Sequence, residues 1–320
     1  MAGTITEYGS GITASATIRG ICLGPDGNIW FTEFAQNKVA KITPAGTVTD
    51  YSIPTGTGPY GICSDGTDLW VCCNSNNYIV KVTTGGSFTE YNLGSGKGPS
   101  HIVYGPDGNL WATFNTASSI AKITTGGSVT EYATTTGSAG PFGICTDGTN
   151  LWTILRTANK LCKTTVAGAH TEYSSGLSGT TNNLFGICYG PDGNVWFSEA
   201  QSGVNKIGKI TPGGTITEYA CTDPRGITAF RGELWVLQST GNQVNRFGVS
   251  GSSIATYAIT TAASGPQFIT PGATNLLWFI EGTANKIASI AGPVNLQQAL
   301  AVSTFRGPGS VNQSFAVPTV

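Results

Sequence analysis

The sequence predicts an all-β fold, a seven-bladed β-propeller whose blades are four-stranded antiparallel sheets. Two independent landmarks with one period carry that expectation. Seven tryptophans, Trp30, Trp70, Trp111, Trp152, Trp196, Trp235 and Trp278, are separated by 40, 41, 41, 44, 39 and 43 residues. Seven tyrosines, Tyr8, Tyr51, Tyr91, Tyr132, Tyr173, Tyr219 and Tyr257, keep the same beat. Self-similarity at a period of about 40 residues is the signature of a repeat architecture. Hairpin turns inside each repeat supply the third observation: Pro-Asp-Gly-Asn at 25–28, 106–109 and 191–194, and Asp-Gly-Thr at 65–67 and 147–149. Asp-Gly between β-rich runs is a strong hairpin signal, because glycine supplies the positive φ of such turns.

The elements of one repeat follow in order. Gly20-Ile21-Cys22-Leu23 is a short apolar run that meets the Pro25-Asp26-Gly27-Asn28 turn. Ile29-Trp30-Phe31-Thr32 is the second run, and a polar turn at Gln36-Asn37 leads into the third, Lys38 to Thr43. A turn at Pro44-Ala45-Gly46 precedes Thr47-Val48-Thr49-Asp50-Tyr51. No sustained 3.6-residue apolar period occurs before residue 290. Four short strands in about 40 residues, seven times over, give the propeller. The seventh repeat ends at Ile290 without an outer strand, and the missing text stands at the N-terminus as Thr4-Ile5-Thr6-Glu7-Tyr8. Residues 4–8 are therefore expected to close the last blade and leave the ring without a free edge.

Residues 1–290 thus form the propeller, and residues 291–320 fall outside the repeat. That tail carries Arg306 as its one charge and Leu296, Leu300, Phe305, Phe315, Val317 and Val320 as large apolar groups. Disordered tails usually show the reverse balance. The expectation is docking, either back onto the propeller or onto a protein partner or sister subunit.

Composition excludes several function classes. The 320 residues hold 16 Lys+Arg and 17 Asp+Glu, a net charge of −1, and 10% are charged, against roughly 25% in an ordinary domain. A nucleic-acid binder would need a basic footprint. No run reaches the roughly 18 apolar residues of a membrane span. Met1 to Tyr8 has neither a basic start nor an apolar stretch, so synthesis in the cytoplasm without a signal peptide is expected.

The text Gly-Pro-Asp-Gly-Asn-x-Trp-Phe-Thr-Glu at 24–33, closely matched at 190–199, is followed by Asn-Lys-Val-Ala-Lys-Ile-Thr-Pro-x-Gly-Thr-Val-Thr-Asp-Tyr at 37–51. This pattern resembles the streptogramin lyase family across residues 4–290. The resemblance implies a seven-bladed propeller that uses Mg²⁺ to open a cyclic depsipeptide by elimination at the mouth of the central channel. It also implies a catalytic histidine in Pro-His-Gly-Ile, fourteen residues before a metal-side Glu. Here that column reads Arg19, Tyr60, Ser100, Phe142, Phe185, Arg225 and Gln267, with no histidine. Gln267 stands at the base position of the last blade, and an amide has no proton-accepting pKa near neutrality. Glu281 matches the metal-side Glu, but Gly265 replaces a second acid and Arg225 a second histidine.

The expectation is a lyase-like propeller without the lyase site: no catalytic residues, no resident metal, and Mg²⁺ only if the lyase alternative holds. Such propellers also resemble repeats of phage minor tail proteins, which adds a virion component or surface-binding module as the expected class. Alternatives are a divergent Mg²⁺-dependent lyase and a glycan or small-ligand binder. The candidate ligand residues at the mouth are Arg19, Tyr60, His101, Phe142, Phe185, Arg225, Gln267, Glu33, Glu199 and Glu281. The three glutamates share a column, and local pairing with arginine is their blander reading.

His101 and His170 are the two histidines, on different repeats, with inner and outer strands roughly 14 Å apart; they cannot share a metal. Ser100 and His101 are strand neighbours, expected to point to opposite faces. Cys22, Cys63, Cys145 and Cys188 occupy one inner-strand column, a packing position for a small hydrophobe. Cys72 and Cys73 are adjacent, Cys162 and Cys221 are isolated, and no C-x-x-C pair exists, so zinc and a disulfide framework are not expected. Lys41, Lys81, Lys122, Lys163 and Lys209 recur once per blade and read as a solvated edge.

Overall fold

The computed structural model describes residues 3–179, 183–200 and 203–293. Among them are seven four-stranded antiparallel sheets and a single short 3-10 turn, Phe34–Gln36. The first blade runs outward as Ile18–Leu23, Ile29–Glu33, Lys38–Ile42 and Val48–Ser52. Five more blades repeat this plan. In the seventh, Pro266–Pro271, Leu276–Glu281 and Lys286–Ala291 are completed by Ile5–Tyr8. The N-terminal strand lies antiparallel to Lys286–Ala291, with Ile5 opposite Ile290 and Tyr8 opposite Ile287. Closure by the N-terminus is therefore as the repeat pattern anticipates. The last blade's third strand extends to Ala291, one residue past the expected boundary, and the tail from 294 to 320 lies outside the described residues.

The two aromatic landmarks are one device. Every repeat tryptophan stacks on a tyrosine of its own blade's outer strand, with centroids 5.3–6.0 Å apart and planes within 24°. Tyr8 supplies the partner of Trp278. The tyrosine ring in turn presses on a turn glycine of the following blade, as Tyr51 does on Gly86 and Tyr91 on Gly127. Those glycines have φ of +86° and +89°, and a Cβ there would sit 2.3 and 2.0 Å from the ring. No other residue fits. The series closes with Tyr8 on Gly46 and Tyr257 on Gly3.

Each tryptophan also fills the face of the next blade: Trp30 packs with Ile62, Leu69 and Val71, and Trp278 with Ile18, Ile29 and Phe31. The hairpin aspartates have a second duty. Asp26, Asp65, Asp107, Asp147 and Asp192 accept the indole N–H at 2.7–3.0 Å, which satisfies the one polar group of a buried tryptophan. The lysine column is not a plain solvated edge. Lys41, Lys81, Lys122, Lys163 and Lys209 lie 5.2–5.8 Å from the tryptophan centroids, and all but Lys163 also pair with an aspartate.

Outer-strand carboxylates hold the links between blades. Glu90, Glu172 and Glu218 accept backbone N–H bonds from Thr55, Thr136 and Ser178. Glu7 does the same for Thr261 at 2.8 Å and pairs with Lys286 at 2.8 Å. Burial pulls the Glu7 carboxyl up, yet the bonds from Lys286 and Thr261 prevail and hold it below its ordinary range.

The closing strand carries a stability prediction. Tyr8→Ala should cost about 3 kcal/mol, read from the shift in urea midpoint, comparable to Tyr91→Ala. Deletion of residues 1–9 should cost more. A deletion that leaves the midpoint unchanged would show that the N-terminus does not close the ring.

Candidate functional site

The inner strands define a mouth on the propeller axis. In all seven blades the inner-strand register shifts just after its first residue, between Ile18 and Ile21 in blade one and between Pro266 and Ile269 in blade seven. A β-bulge of this kind re-aims the side chains it contains. The column 19/60/100/142/185/225/267 and the residue after it sit in the bulge. Five of those following residues are glycine, and at four of them the neighbouring blade leaves no room for a side chain. A Cβ on Gly61 would stand 2.5 Å from the Ser100 carbonyl, and one on Gly226 2.5 Å from the Gln267 carbonyl.

Hydroxyls lock alternate seams. Thr32 accepts from the Gly20 N–H and donates to the Tyr60 carbonyl, both at 2.8 Å. Thr113 joins the His101 N–H to the Phe142 carbonyl, and Ser198 joins Gly186 to Arg225. The backbones of Tyr60, Phe142 and Arg225 are thereby fixed.

His101 and Phe268 break the glycine column, and their rings enter the axis. Tyr60, His101, Phe142, Phe185 and Phe268 form one aromatic plug with contacts of 4.3–6.5 Å between centroids. A cavity of about 180 Å³ lies along the axis, lined by the five glycines, seven isoleucines, Arg19, His101, Phe185 and Phe268. Three guanidiniums lie against the plug. Arg19 is 5.8 Å from the Tyr60 centroid, Arg156 5.0 Å from Phe142, and Arg225 5.3 Å from Phe185. Arg19 also reaches the Gln267 amide oxygen at 3.5 Å, and Arg225 pairs with Asp223 at 3.2 Å.

The structure thus brings Arg19, Tyr60, His101, Phe142, Phe185, Arg225 and Gln267 together. The bulge overturns one expectation. Ser100 and His101 do not diverge; Ser100 Oγ and His101 Nδ1 share a hydrogen bond of 3.0 Å. Burial, with Arg156 beside it, pushes the His101 pKa down to about 3. An imidazole that weak draws no useful proton from a serine hydroxyl at neutral pH.

Glu33, Glu199 and Glu281 are fully buried at the ends of second strands, and none lines the axial cavity. Their register partners are Lys38, Lys206 and Lys286 rather than arginines. Both carboxyl oxygens of Glu281 are without hydrogen-bond partners, and Glu199 faces the carboxyl of Glu218. Burial, then the nearby Glu218, raises Glu199 to about 8. Burial, then Glu7, raises Glu281 to about 7.

A Mg²⁺ ion asks for near-octahedral oxygen ligands. Around Glu281 stand its register partners Pro266 and Lys286 and the Glu7 carboxylate, which the Lys286 ammonium already pairs, and among the described residues no three His, Cys, Asp or Glu side chains converge. This donor set does not fit the ion. The eight cysteines are free thiols, and burial raises the Cys22 and Cys188 thiols above their ordinary range.

Phe268 and Arg156 are the site residues the sequence reading missed. Phe268 was visible as a second exception, beside His101, in the glycine column. Arg156 follows Leu155 in the turn where blade one has Phe34 after Glu33, a place that repeat alignment marks but no motif does.

The buried Glu199 gives a pH prediction. Its folded pKa lies above the ordinary 4.5, so stability is complete below about 4.5 and falls as pH rises toward 8. Glu199→Gln should flatten that slope and stabilise the protein at pH 8 by on the order of a few kcal/mol. Denaturation at pH 5 and 8 reads it, and an unchanged slope would place the carboxyl in water.

Comparison with known proteins agrees with this architecture. A streptogramin B lyase structure superposes with a TM-score of 0.82 at 29% identity, covering 90% of this chain and 97% of that one. A catalytically inactive virginiamycin B lyase from Staphylococcus aureus with quinupristin gives 0.79 at 28% identity, covering 90% and 99%. Virginiamycin B lyase of Nocardia farcinica is 31% identical over 113 residues, 35% of this chain, and the match spans only 39% of that relative's length. The virginiamycin B lyase family profile matches residues 1–225 and 150–299. Repeat, closure and family match agree: this chain belongs to the virginiamycin B lyase family.

Proposed function

We propose that this propeller is a non-catalytic binding and structural module that serves a larger assembly, of the kind a virion tail or surface-binding protein represents. The observation that carries the reading is the mouth itself. Where the family resemblance places a histidine base, this chain has Gln267, and five packed rings stand over the axis. His101, the histidine at the mouth, is held neutral by burial and Arg156. Low charge and an apolar tail favour assembly over free solution. Residues 291–320 are the proposed contact with a protein partner or a sister subunit, and the mouth is the proposed ligand face.

Two measurements test this. With quinupristin and Mg²⁺, mass spectrometry should show no ring opening; opening that vanishes in Glu281→Ala would make the chain a lyase. Light scattering should show the full chain assembling and a chain ending at residue 293 remaining a folded monomer. Two monomers would remove the tail as an assembly element.

A further inference from the structure

The cations of this protein fall into two populations. Nine of the ten lysines form ion pairs with carboxylates on the outer strands and turns. Arg246 pairs with Glu233 at 2.7 Å. The mouth is different. Arg19, Arg156 and Arg225 are three of the six arginines, and the buried Nε of each has no hydrogen-bond partner. Among the described residues only Arg225 has a carboxylate partner, Asp223. Arg156 and Arg225 share the Phe185 ring, at 5.8 and 5.3 Å.

Like charges held against one apolar floor repel, and ring faces return only a small part of what guanidiniums lose on leaving water. Arg156 is accordingly held below its usual range by burial and by Arg225. The neighbouring acids give little relief. Glu33, Glu199 and Glu281 are fully buried at the ends of second strands, and among the described residues no ion pair joins any of them to these arginines. The mouth therefore carries an excess of positive charge in a chain whose net charge is −1. Guanidiniums match oxyanions with paired, charge-assisted hydrogen bonds. Between them stand the Gln267 amide, the Tyr60 phenol and part-exposed Tyr60 and Phe268 rings, which suit the hydroxyls and C–H face of a sugar.

We propose that Arg19, Arg156 and Arg225 form a receptor for the oxyanion of an acidic saccharide, with its sugar ring against Tyr60 and the plug. This rests on the binding-module reading and names its ligand class. The proposal concerns a carboxylate or a sulfate ester, since the same guanidinium geometry serves both.

Calorimetry on the full chain at low salt tests it, with a glucuronate-containing tetrasaccharide, a sulfated tetrasaccharide and an uncharged glucose tetrasaccharide. At least one acidic probe should bind tenfold or more tightly than the neutral one and weaken as salt rises. Which acidic probe binds identifies the anion. Arg156→Gln should weaken that binding about tenfold, and Arg19→Gln provides a second reading if the first variant loses its fold. Lys163→Gln, on the ring edge, should leave it unchanged. Equal binding of the neutral sugar overturns the oxyanion receptor while the binding-module reading stands. Unaltered affinity in folded Arg156→Gln and Arg19→Gln, or no acidic probe binding at millimolar concentration, overturns it as well. Quinupristin opening would overturn the underlying reading instead.

Discussion

The wedge of tryptophan, tyrosine and turn glycine between successive blades sets the geometry of everything else. An indole stacked on its own blade's outer tyrosine cannot slide, because its N–H is tied to a hairpin aspartate in five blades. The tyrosine cannot move outward without striking the next blade's turn glycine. Repeated seven times, this fixes the angle between sheets and brings the inner strands together at the axis. Aromatic stacking of this kind adds only about 1 kcal/mol per pair beyond area burial. Its importance here is geometric as much as energetic, and Tyr8 against Gly46 and Tyr257 against Gly3 extend it through the closing blade.

Convergence at the axis has a chemical consequence. Where adjacent inner strands meet, carbonyls stand so near that four of the seven blades need glycine. The bulge then turns the preceding residue toward the mouth. Seven blades therefore present seven variable side chains on a rigid ring, and the chemistry of the site is whatever that column spells. In this chain it spells two arginines, three aromatics, a serine and an amide. Aromatic bulk fills the space above the axis, and burial keeps the local imidazole neutral while pushing the Glu199 and Glu281 carboxyls up into the neutral range. The scaffold is shared with the lyases, and a fold does not by itself carry one function.

Much of this was legible in the residues. Trp and Tyr spacing gave the blade count, and the stranded Thr-Glu-Tyr at residues 6–8 gave the closure. The column at 19 through 267 repeats in register from blade to blade, and the structure gathers its Arg19, Tyr60, Phe142, Phe185, Arg225 and Gln267 around the axis. Three features escaped for physical reasons. Alternation along a strand placed Ser100 and His101 on opposite faces, but a bulge suspends alternation where they sit. Arg156 lies in a turn, where periodicity carries no information about direction. The lysines looked like a solvated edge because a sequence does not show that their ammonium groups lie over tryptophan rings.

The mouth is packed so that its histidine, His101, is held neutral and takes no proton near neutral pH. The most direct test is the titration of the His101 ring, followed by its NMR shifts between pH 2 and 8. A pKa near 3, with the imidazole neutral throughout the physiological range, is the predicted result. A His101 that titrates near its ordinary 6.5 would mean a hydrated, open mouth with a working base, and would contradict the account.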